Sequence, residues 1–141
     1  MFLLDTNVIS ELRKVGDGRA DKHLVSWIAA KEPESFYISV ITAMELETGV
    51  LRMERRDAAQ GARLRAWLDS QVLPEFEERT LPIDTTVALA CARLHVPDPR
   101  SERDALIAAT AMVHKMTVVT RNVADFEPTG IKLINPWSED A

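Results

Sequence analysis

The sequence predicts an α/β fold, a three-layer arrangement in which a parallel sheet carries helices on both faces. Two observations predict it. Short apolar or β-branched runs alternate along the chain with segments of helical periodicity. The runs are also nearly continuous in apolar residues, as expected of strands buried on both faces. With 141 residues and no internal linker or repeat, one domain is expected over residues 1–141.

The first two strands and their helices follow in order. Residues 1–4 form a short apolar run, and residues 6–14 then place apolar side chains at helical spacing. Residues 36–41 are rich in aromatic and β-branched side chains and predict the second strand. Thr42 and Glu45 have the spacing of a capping box, so a helix is expected to begin there.

A helical excursion is expected between about residues 44 and 73, where apolar side chains recur at helical spacing within a charged segment. It is either one long amphipathic helix or a helical hairpin. Its arginines form a basic patch that could contact RNA or a partner, although a run of charge is usually a solvated face. The patch comprises Arg52, Arg55, Arg56, Arg63 and Arg65.

The second half of the chain completes the alternation. Residues 81–84 predict a strand at the sheet edge, because Pro82 cannot donate a ladder hydrogen bond. Helices are expected at about residues 85–95 and 103–114, the second with Ser101 as its N-cap. Two β-rich runs, residues 117–120 and 131–134, supply the last strands.

Composition excludes several classes of protein. The chain has 17 Lys and Arg against 22 Asp and Glu, and a net charge of -5 argues against generic charge-driven binding to nucleic acid. The single cysteine, Cys91, excludes a disulfide framework and fits a reducing compartment, so a cytoplasmic location is expected. No apolar run reaches the roughly 18 to 20 residues of a membrane helix, and no membrane partner is expected.

Acidic and amide side chains are expected to converge at one sheet edge. Asp5 directly follows the first strand, Glu45 lies in the first turn after the second, and Asn122 and Asp125 follow the fourth. Asp104 lies in the first turn of an apolar helix that starts at the same edge. In a parallel sheet, the loops at the carboxyl ends of the strands share that edge, and ligands bind there.

A cluster of three or four acids must protonate, spread apart or bind a cation. Two carboxylates about 4 Å apart repel by roughly 4 kcal/mol at an effective dielectric of 20. Oxygen donors without histidine or thiolate favour Mg²⁺ or Mn²⁺ over zinc. A bound Mg²⁺ activates water for attack on a phosphodiester, which predicts a hydrolytic nuclease.

Each acid also has a purely structural interpretation. Asp5 could cap the helix at Thr6, Glu45 could complete a box with Thr42, and Asp104 could complete one with Ser101. Asp84 is better interpreted as the cap of the helix that follows it than as a site residue. Caps and ligands are compatible, because a carboxylate in a first turn is favoured by the helix dipole and stays ionised.

Short motifs occur in a fixed order from end to end of the chain: LDTN at residues 4–7, ITAMEL at 41–46, RDALIAATA at 103–111, VTRNVADF at 119–126 and NPW at 135–137. In these motifs the chain resembles the PIN-domain family, and more narrowly the VapC-type toxins of its FitB-like branch. The resemblance implies a Mg²⁺- or Mn²⁺-dependent endoribonuclease that is the toxin of a type II toxin–antitoxin pair. It further implies an RNA substrate, a homodimer, and a small antitoxin through which alone operator DNA is bound.

The resemblance assigns metal-site roles to Asp5, Glu45 and Asp104. Many members have an aspartate where this chain has Asn122, so either Asn122 or the next acid, Asp125, fills the fourth position.

We expect metal binding by Asp5, Asp104 and Asp125, directly or through water. Glu45 is expected to position or deprotonate the attacking water, or to be a ligand itself. Residues expected to support the site by hydrogen bonds are Thr6, Asn7 and Thr120, and residues 44–73 are expected to contribute to dimer or antitoxin contacts.

Two alternatives stay open at this point. In a receiver-like signalling domain, Asp84 would accept a phosphoryl group and Thr120 would act as the switch residue. That chemistry needs an acidic pair after the first strand, whereas Asp5 is followed by Thr6 and Asn7. The second alternative is an inactive PIN domain kept for partner binding.

Overall fold

A five-stranded parallel sheet forms the centre of the molecule. The computed structural model describes residues 1–139 and 141. The strands lie side by side in the order β3-β2-β1-β4-β5, and every neighbouring pair is parallel. They are β1 (Phe2–Leu4), β2 (Phe36–Ser39), β3 (Thr80–Leu81), β4 (Thr117–Val119) and β5 (Leu133–Ile134). The predicted parallel α/β fold is confirmed, and β3, which precedes Pro82, lies at a sheet edge as expected.

Helices connect the strands. The α-helices are α1 (Thr6–Leu12), α2 (Lys22–Ala29), α3 (Val40–Arg56), α4 (Ala58–Trp67), α5 (Leu73–Glu75), α6 (Thr85–Leu94), α7 (Glu102–His114) and α8 (Val123–Phe126). Short 3₁₀ turns lie at Arg13–Asp17, Pro33–Ser35 and Glu127–Thr129, and a π-helical turn at Leu68–Val72. No helix in the described part of the chain is long and apolar enough to cross a membrane.

Apolar cores lie on both faces of the sheet. Leu4 and Val119 belong to one cluster of buried side chains, whereas their neighbours Leu3 and Val118 belong to another. Successive side chains of a strand point to opposite faces, so the two clusters lie on opposite sides. The first cluster includes side chains of α1, α2 and α3, and the second includes side chains of α7. The predicted three layers are therefore present.

The predicted helical excursion is a hairpin of α3 and α4. The two helices approach closely at Gly61. Only a residue without a Cβ fits there, because a Cβ atom built on Gly61 would lie 2.5 Å from the Cα atom of Glu54. Arg65 links them further: its Nη1 and Nη2 each donate to a carboxylate oxygen of Glu47 at 2.7 Å. Arg65 also contacts Glu54 and Asp69 at 3.4 Å. Arg65, at least, therefore has a structural role within the basic patch.

The start of α3 differs from the sequence prediction. The helix begins at Val40 and its cap is Ser39, whose hydroxyl accepts a hydrogen bond from the Ile41 backbone N–H at 3.0 Å. The capping box of Thr42 and Glu45 was wrong, because a hydroxyl at the end of β2 caps the helix three residues earlier. As a result, both side chains are available to the site described below.

The receiver-like alternative does not fit this topology. A receiver-type sheet has the order 2-1-3-4-5, so the strand before its phosphoacceptor is central. Here β3 is an edge strand, and Asp84 after it accepts the Val87 backbone N–H at 2.9 Å as the cap of α6. The structural interpretation of Asp84 is confirmed.

Candidate active site

One cavity of about 450 Å³ opens at the carboxyl edge of the sheet. We call it the acidic cavity, because Asp5, Glu45 and Asp104 all line it. These residues come from the end of β1, from α3 and from the first turn of α7, far apart in the sequence. The structure therefore brings together three of the predicted acids. Thr6, Asn7 and Asn122 line the same cavity.

Asp5 is held by a network of hydrogen bonds. Its Oδ1 accepts the Thr6 backbone N–H at 2.8 Å, so Asp5 is the cap of α1 as well as a cavity residue. Its Oδ2 accepts the Thr120 hydroxyl at 2.9 Å and the Asn7 side-chain amide at 3.2 Å. Only 6% of Asp5 is exposed. Its carboxylate is thus fixed in one orientation at the end of β1.

Thr120 is the centre of that network. Its hydroxyl donates to Asp5 and accepts both the Asn7 side-chain amide at 3.2 Å and the Asn122 backbone N–H at 3.0 Å. The expectation that Asn7 and Thr120 hydrogen-bond within the site agrees with these contacts. They tie the end of β4 to the end of β1.

Glu45 is oriented from α1. The Thr6 hydroxyl donates to its Oε1 at 2.6 Å and also contacts the Thr42 hydroxyl at 3.1 Å. Its Oε2 lies 3.6 Å from Nη1 of Arg103. The Glu45 side chain remains 26% exposed, so it can meet a molecule that enters the cavity.

Two residues are candidates for the fourth position of the metal site, beside Asp5, Glu45 and Asp104. Asn122 lines the acidic cavity at the start of α8, and its side chain makes no capping bond. Asp125 is exposed in the first turn of α8 and is not among the cavity-lining residues. Its charge nevertheless acts on the site, because it raises the pKa of Asp104.

Burial and mutual repulsion raise the pKa of two of these acids. The pKa of Asp5 is raised mainly by burial, against the opposing hydrogen bonds from Thr120 and Thr6, and further by the charges of Asp104 and Glu45. The pKa of Asp104 is raised by burial and then by the charges of Asp125 and Glu45. Ser101 lies at the N-cap position of α7 without making the predicted capping bond, and its hydrogen bond to Asp104 lowers that pKa. The four acids thus form one electrostatic unit.

This donor set fits a hydrated divalent ion. The acidic and amide side chains of the cavity offer oxygen atoms as ligands, and a bound cation would relieve the repulsion between the carboxylates. Among residues 1–139 and 141, no three Asp, Glu, His or Cys side chains are gathered closely enough to enclose a metal by themselves. Mg²⁺ usually keeps several waters and takes only one or two carboxylates, so it does not require such an enclosure.

The sequence did not single out every residue of the cavity. Ser10, Glu11, Arg13 and Lys14 also line it, along one side of α1 and the 3₁₀ turn that follows. Helical spacing could have revealed them: Ser10 and Glu11 lie three and four residues after Asn7, and Arg13 and Lys14 lie three and four residues after Ser10, so these residues share a helix face. Arg121 and Trp137 complete the lining.

Replacing Thr120 with valine is expected to destabilise the protein by about 1–3 kcal/mol, because it leaves buried hydrogen-bonding groups unpaired. The valine would neither donate to Asp5 nor accept from Asn7, and the pKa of Asp5 should rise further. Urea unfolding and carboxyl NMR titration measure the two effects. The control is Thr110→Val, also at a fully buried threonine, whose hydroxyl donates only to the Leu106 carbonyl within α7. Equal losses in both variants would refute a network centred on Thr120.

The metal-free protein is expected to lose stability, relative to Asp5→Asn, as the pH rises from about 4 toward neutrality. A raised pKa means that folded Asp5 binds its proton more tightly than unfolded Asp5, so ionisation favours unfolding. Unfolding of both proteins across this range measures the difference, and added Mg²⁺ should reduce it. A difference that does not vary with pH would contradict the burial of a charged group at Asp5.

The fold and the acidic cavity define an α/β protein with a candidate cation site at the carboxyl edge of its sheet. Residues 2–129 match the PIN domain family, and the chain belongs to that family. The three individual proteins described next match over nearly the whole chain.

Two relatives and one solved structure illustrate the similarity. The chain is 39% identical to VapC ribonuclease Y4jK of Sinorhizobium fredii, over 97% of this chain and 98% of the relative. It is 33% identical to Toxin FitB of Neisseria gonorrhoeae, over 99% of this chain and 100% of the relative. It is also similar to a structure of FitAB bound to an IR36 DNA fragment, with 33% identity and a TM-score of 0.88, over 98% of this chain and 96% of that one.

Proposed function

We propose that this chain is a divalent-metal-dependent endoribonuclease, acting as a single domain and as the toxin of a toxin–antitoxin pair. One observation carries the proposal: Asp5, Glu45 and Asp104, from three distant segments, line one cavity at the carboxyl edge of a parallel sheet. The similarity to a VapC ribonuclease and to Toxin FitB supports RNA as the substrate. We place its action in the cytoplasm, where the proposed RNA substrate would be met.

In this proposal, Asp5, Asp104 and Asp125 hold Mg²⁺ or Mn²⁺, directly or through water, with Asn122 as a weaker neutral donor. The bound ion would supply a polarised water and would offset charge on the phosphodiester. Asn7 and Thr120 keep the Asp5 carboxylate in place through the bonds described above.

Glu45 takes the proton of the attacking water. Its Oε1 accepts the Thr6 hydroxyl, and Oε2 is the oxygen that we propose accepts this proton. Nη1 of Arg103 lies 3.6 Å from Oε2 and partly balances the charge of Glu45. To act as the general base, Glu45 must lie within hydrogen-bond distance of the attacking water.

The partners follow from the same relatives. Because FitAB was solved on DNA, we propose that this chain also pairs with an antitoxin and contacts operator DNA only through it. A homodimer is part of the proposal and accords with large exposed apolar side chains on the helices, namely Met44, Leu51, Leu89 and Met112.

The proposal predicts that purified protein cleaves single-stranded RNA with Mg²⁺ and not with EDTA. Asp104→Asn should reduce the rate at least about 100-fold, because even outer-shell changes at metal sites cost 10- to 100-fold. The control is Asp84→Asn, at an exposed acid outside the acidic cavity, since asparagine caps a helix as well as aspartate. A wild-type protein that neither cleaves RNA nor binds Mg²⁺ in calorimetry would instead support an inactive, partner-binding PIN domain.

A further inference from the structure

An arginine and a tryptophan stand together in the acidic cavity. The guanidinium carbon of Arg121 lies 5.5 Å from the centroid of the Trp137 ring, the geometry of a cation–π contact. Both side chains line the cavity that contains Asp5, Glu45 and Asp104. The roles proposed above leave both residues without a function.

The charge of Arg121 is available for a ligand. Among residues 1–139 and 141, no carboxylate oxygen lies within 4.0 Å of its guanidinium, whereas Arg65 contacts three acids. Its backbone is fixed, because the Arg121 N–H donates to Oδ1 of Asn7 at 3.2 Å. The same Asn7 side chain contacts Asp5. Arg121 is thus an exposed cation anchored to the acid network.

Packing restricts the position of the Trp137 ring, and part of the ring stays exposed. It packs against the buried cluster that contains Leu4 and Val119, and it is only partly exposed. Its backbone N–H donates to Oδ1 of Asn135 at 3.0 Å, and Pro136 before it is buried. A ring held in this way loses little conformational freedom when a ligand stacks on it.

A cation beside an aromatic ring suits the phosphate and the base of one nucleotide in a single strand. Bases of unpaired RNA stack on aromatic rings and on guanidinium planes, and the phosphate requires a cation. Base faces are hidden in a duplex, and an acidic peptide would meet the carboxylates of the same cavity. We infer that Arg121 and Trp137 hold one nucleotide of single-stranded RNA beside the proposed metal site, Arg121 binding its phosphate and Trp137 stacking on its base. This inference rests on the proposed function.

The test measures binding without cleavage. In an Asp5→Asn background with Mg²⁺, fluorescence anisotropy compares two labelled probes: a random eight-nucleotide RNA and an eight-unit ribose-phosphate oligomer that lacks bases. Trp137→Ala should weaken binding of the RNA about tenfold and barely change binding of the abasic oligomer. Trp137→Phe should retain most of the affinity. Arg121→Ala should weaken both probes and reduce the dependence of binding on salt.

Two controls match these variants. Trp67→Ala removes a partly buried tryptophan outside the acidic cavity, and Arg93→Ala removes an exposed arginine of α6. Neither should change binding of the RNA. Equal losses for both probes in Trp137→Ala, or no loss for either, would overturn the inference, because the ring would then act on the fold or on a protein partner.

Failure of this inference can be told apart from failure of the proposed function. If wild-type protein cleaves RNA but Trp137→Ala binds both probes normally, only the nucleotide site is wrong. If wild-type protein does not cleave RNA, the proposed function fails, and the base-dependent difference between the probes still decides whether Trp137 stacks on a base.

Discussion

Replacing Asp5 with asparagine is expected to reduce RNA cleavage at least about 100-fold while leaving the protein folded. The carboxylate is the most buried of the cavity acids and is oriented by Thr6, Asn7 and Thr120. Asparagine keeps the shape but removes the negative charge that the proposed metal requires. Cleavage of a labelled RNA in Mg²⁺ measures the loss.

Stability should change little in this variant. With the amide oxygen kept on the Thr6 N–H, the amide nitrogen that replaces Oδ2 cannot accept from the Thr120 hydroxyl, a loss that costs about 1–3 kcal/mol for a buried group. Burial and the neighbouring acids disfavour the negative charge of Asp5. Loss of that charge is therefore stabilising and offsets this cost. The matched control is Asp21→Asn at the cap of α2, a residue that does not line the acidic cavity, and this variant should cleave RNA at the wild-type rate. An Asp5→Asn protein as active as the wild type would refute the role of Asp5.

Replacing Gly61 with alanine is expected to destabilise the protein by about 2–3 kcal/mol, at the upper end of the cost of overpacking. The added Cβ would lie 2.5 Å from the Cα and 2.8 Å from the N of Glu54, which are backbone atoms that cannot turn away. The helices α3 and α4 would have to separate, and the ion pairs of Arg65 with Glu47 and Glu54 would lengthen. Thermal and urea unfolding measure the effect.

The control for this substitution lies on the same hairpin. Gly49 is exposed within α3, and nothing lies within 4 Å of a Cβ built there. Gly49→Ala should therefore stabilise the protein by about 0.5–1 kcal/mol, since alanine is the better helix former. Opposite signs for the two substitutions are expected. A Gly61→Ala protein as stable as the wild type would show that the two helices are not in close contact.

The strand and helix order was predictable because it depends on local pattern. Apolar strands and helical periodicity can be recognised from residues that are close together in the sequence. Pro82 predicted the edge strand, because proline cannot donate a ladder hydrogen bond. The start of α3 was not predictable, since Ser39 and Thr42 are both good caps and the sheet decides where the strand ends. The contact at Gly61 was missed because it depends on the angle at which two helices meet.

The candidate site was predictable in its acids and less so in their surroundings. Asp5 and Glu45 follow strands whose carboxyl ends share an edge of the sheet, and Asp104 lies in the first turn of a helix that starts at the same edge. The network around Thr120 joins residues more than 100 positions apart, and no local pattern encodes which atoms meet. For the same reason, the pairing of Arg121 with Trp137 emerged only from the structure.

The most direct test of the central claim is an anomalous difference map from a crystal grown with Mn²⁺. The account predicts a peak in the acidic cavity, coordinated directly or through water by Asp5 and Asp104 and within reach of Glu45. A cavity without a peak at millimolar Mn²⁺, or an ion bound only elsewhere on the protein, would contradict it.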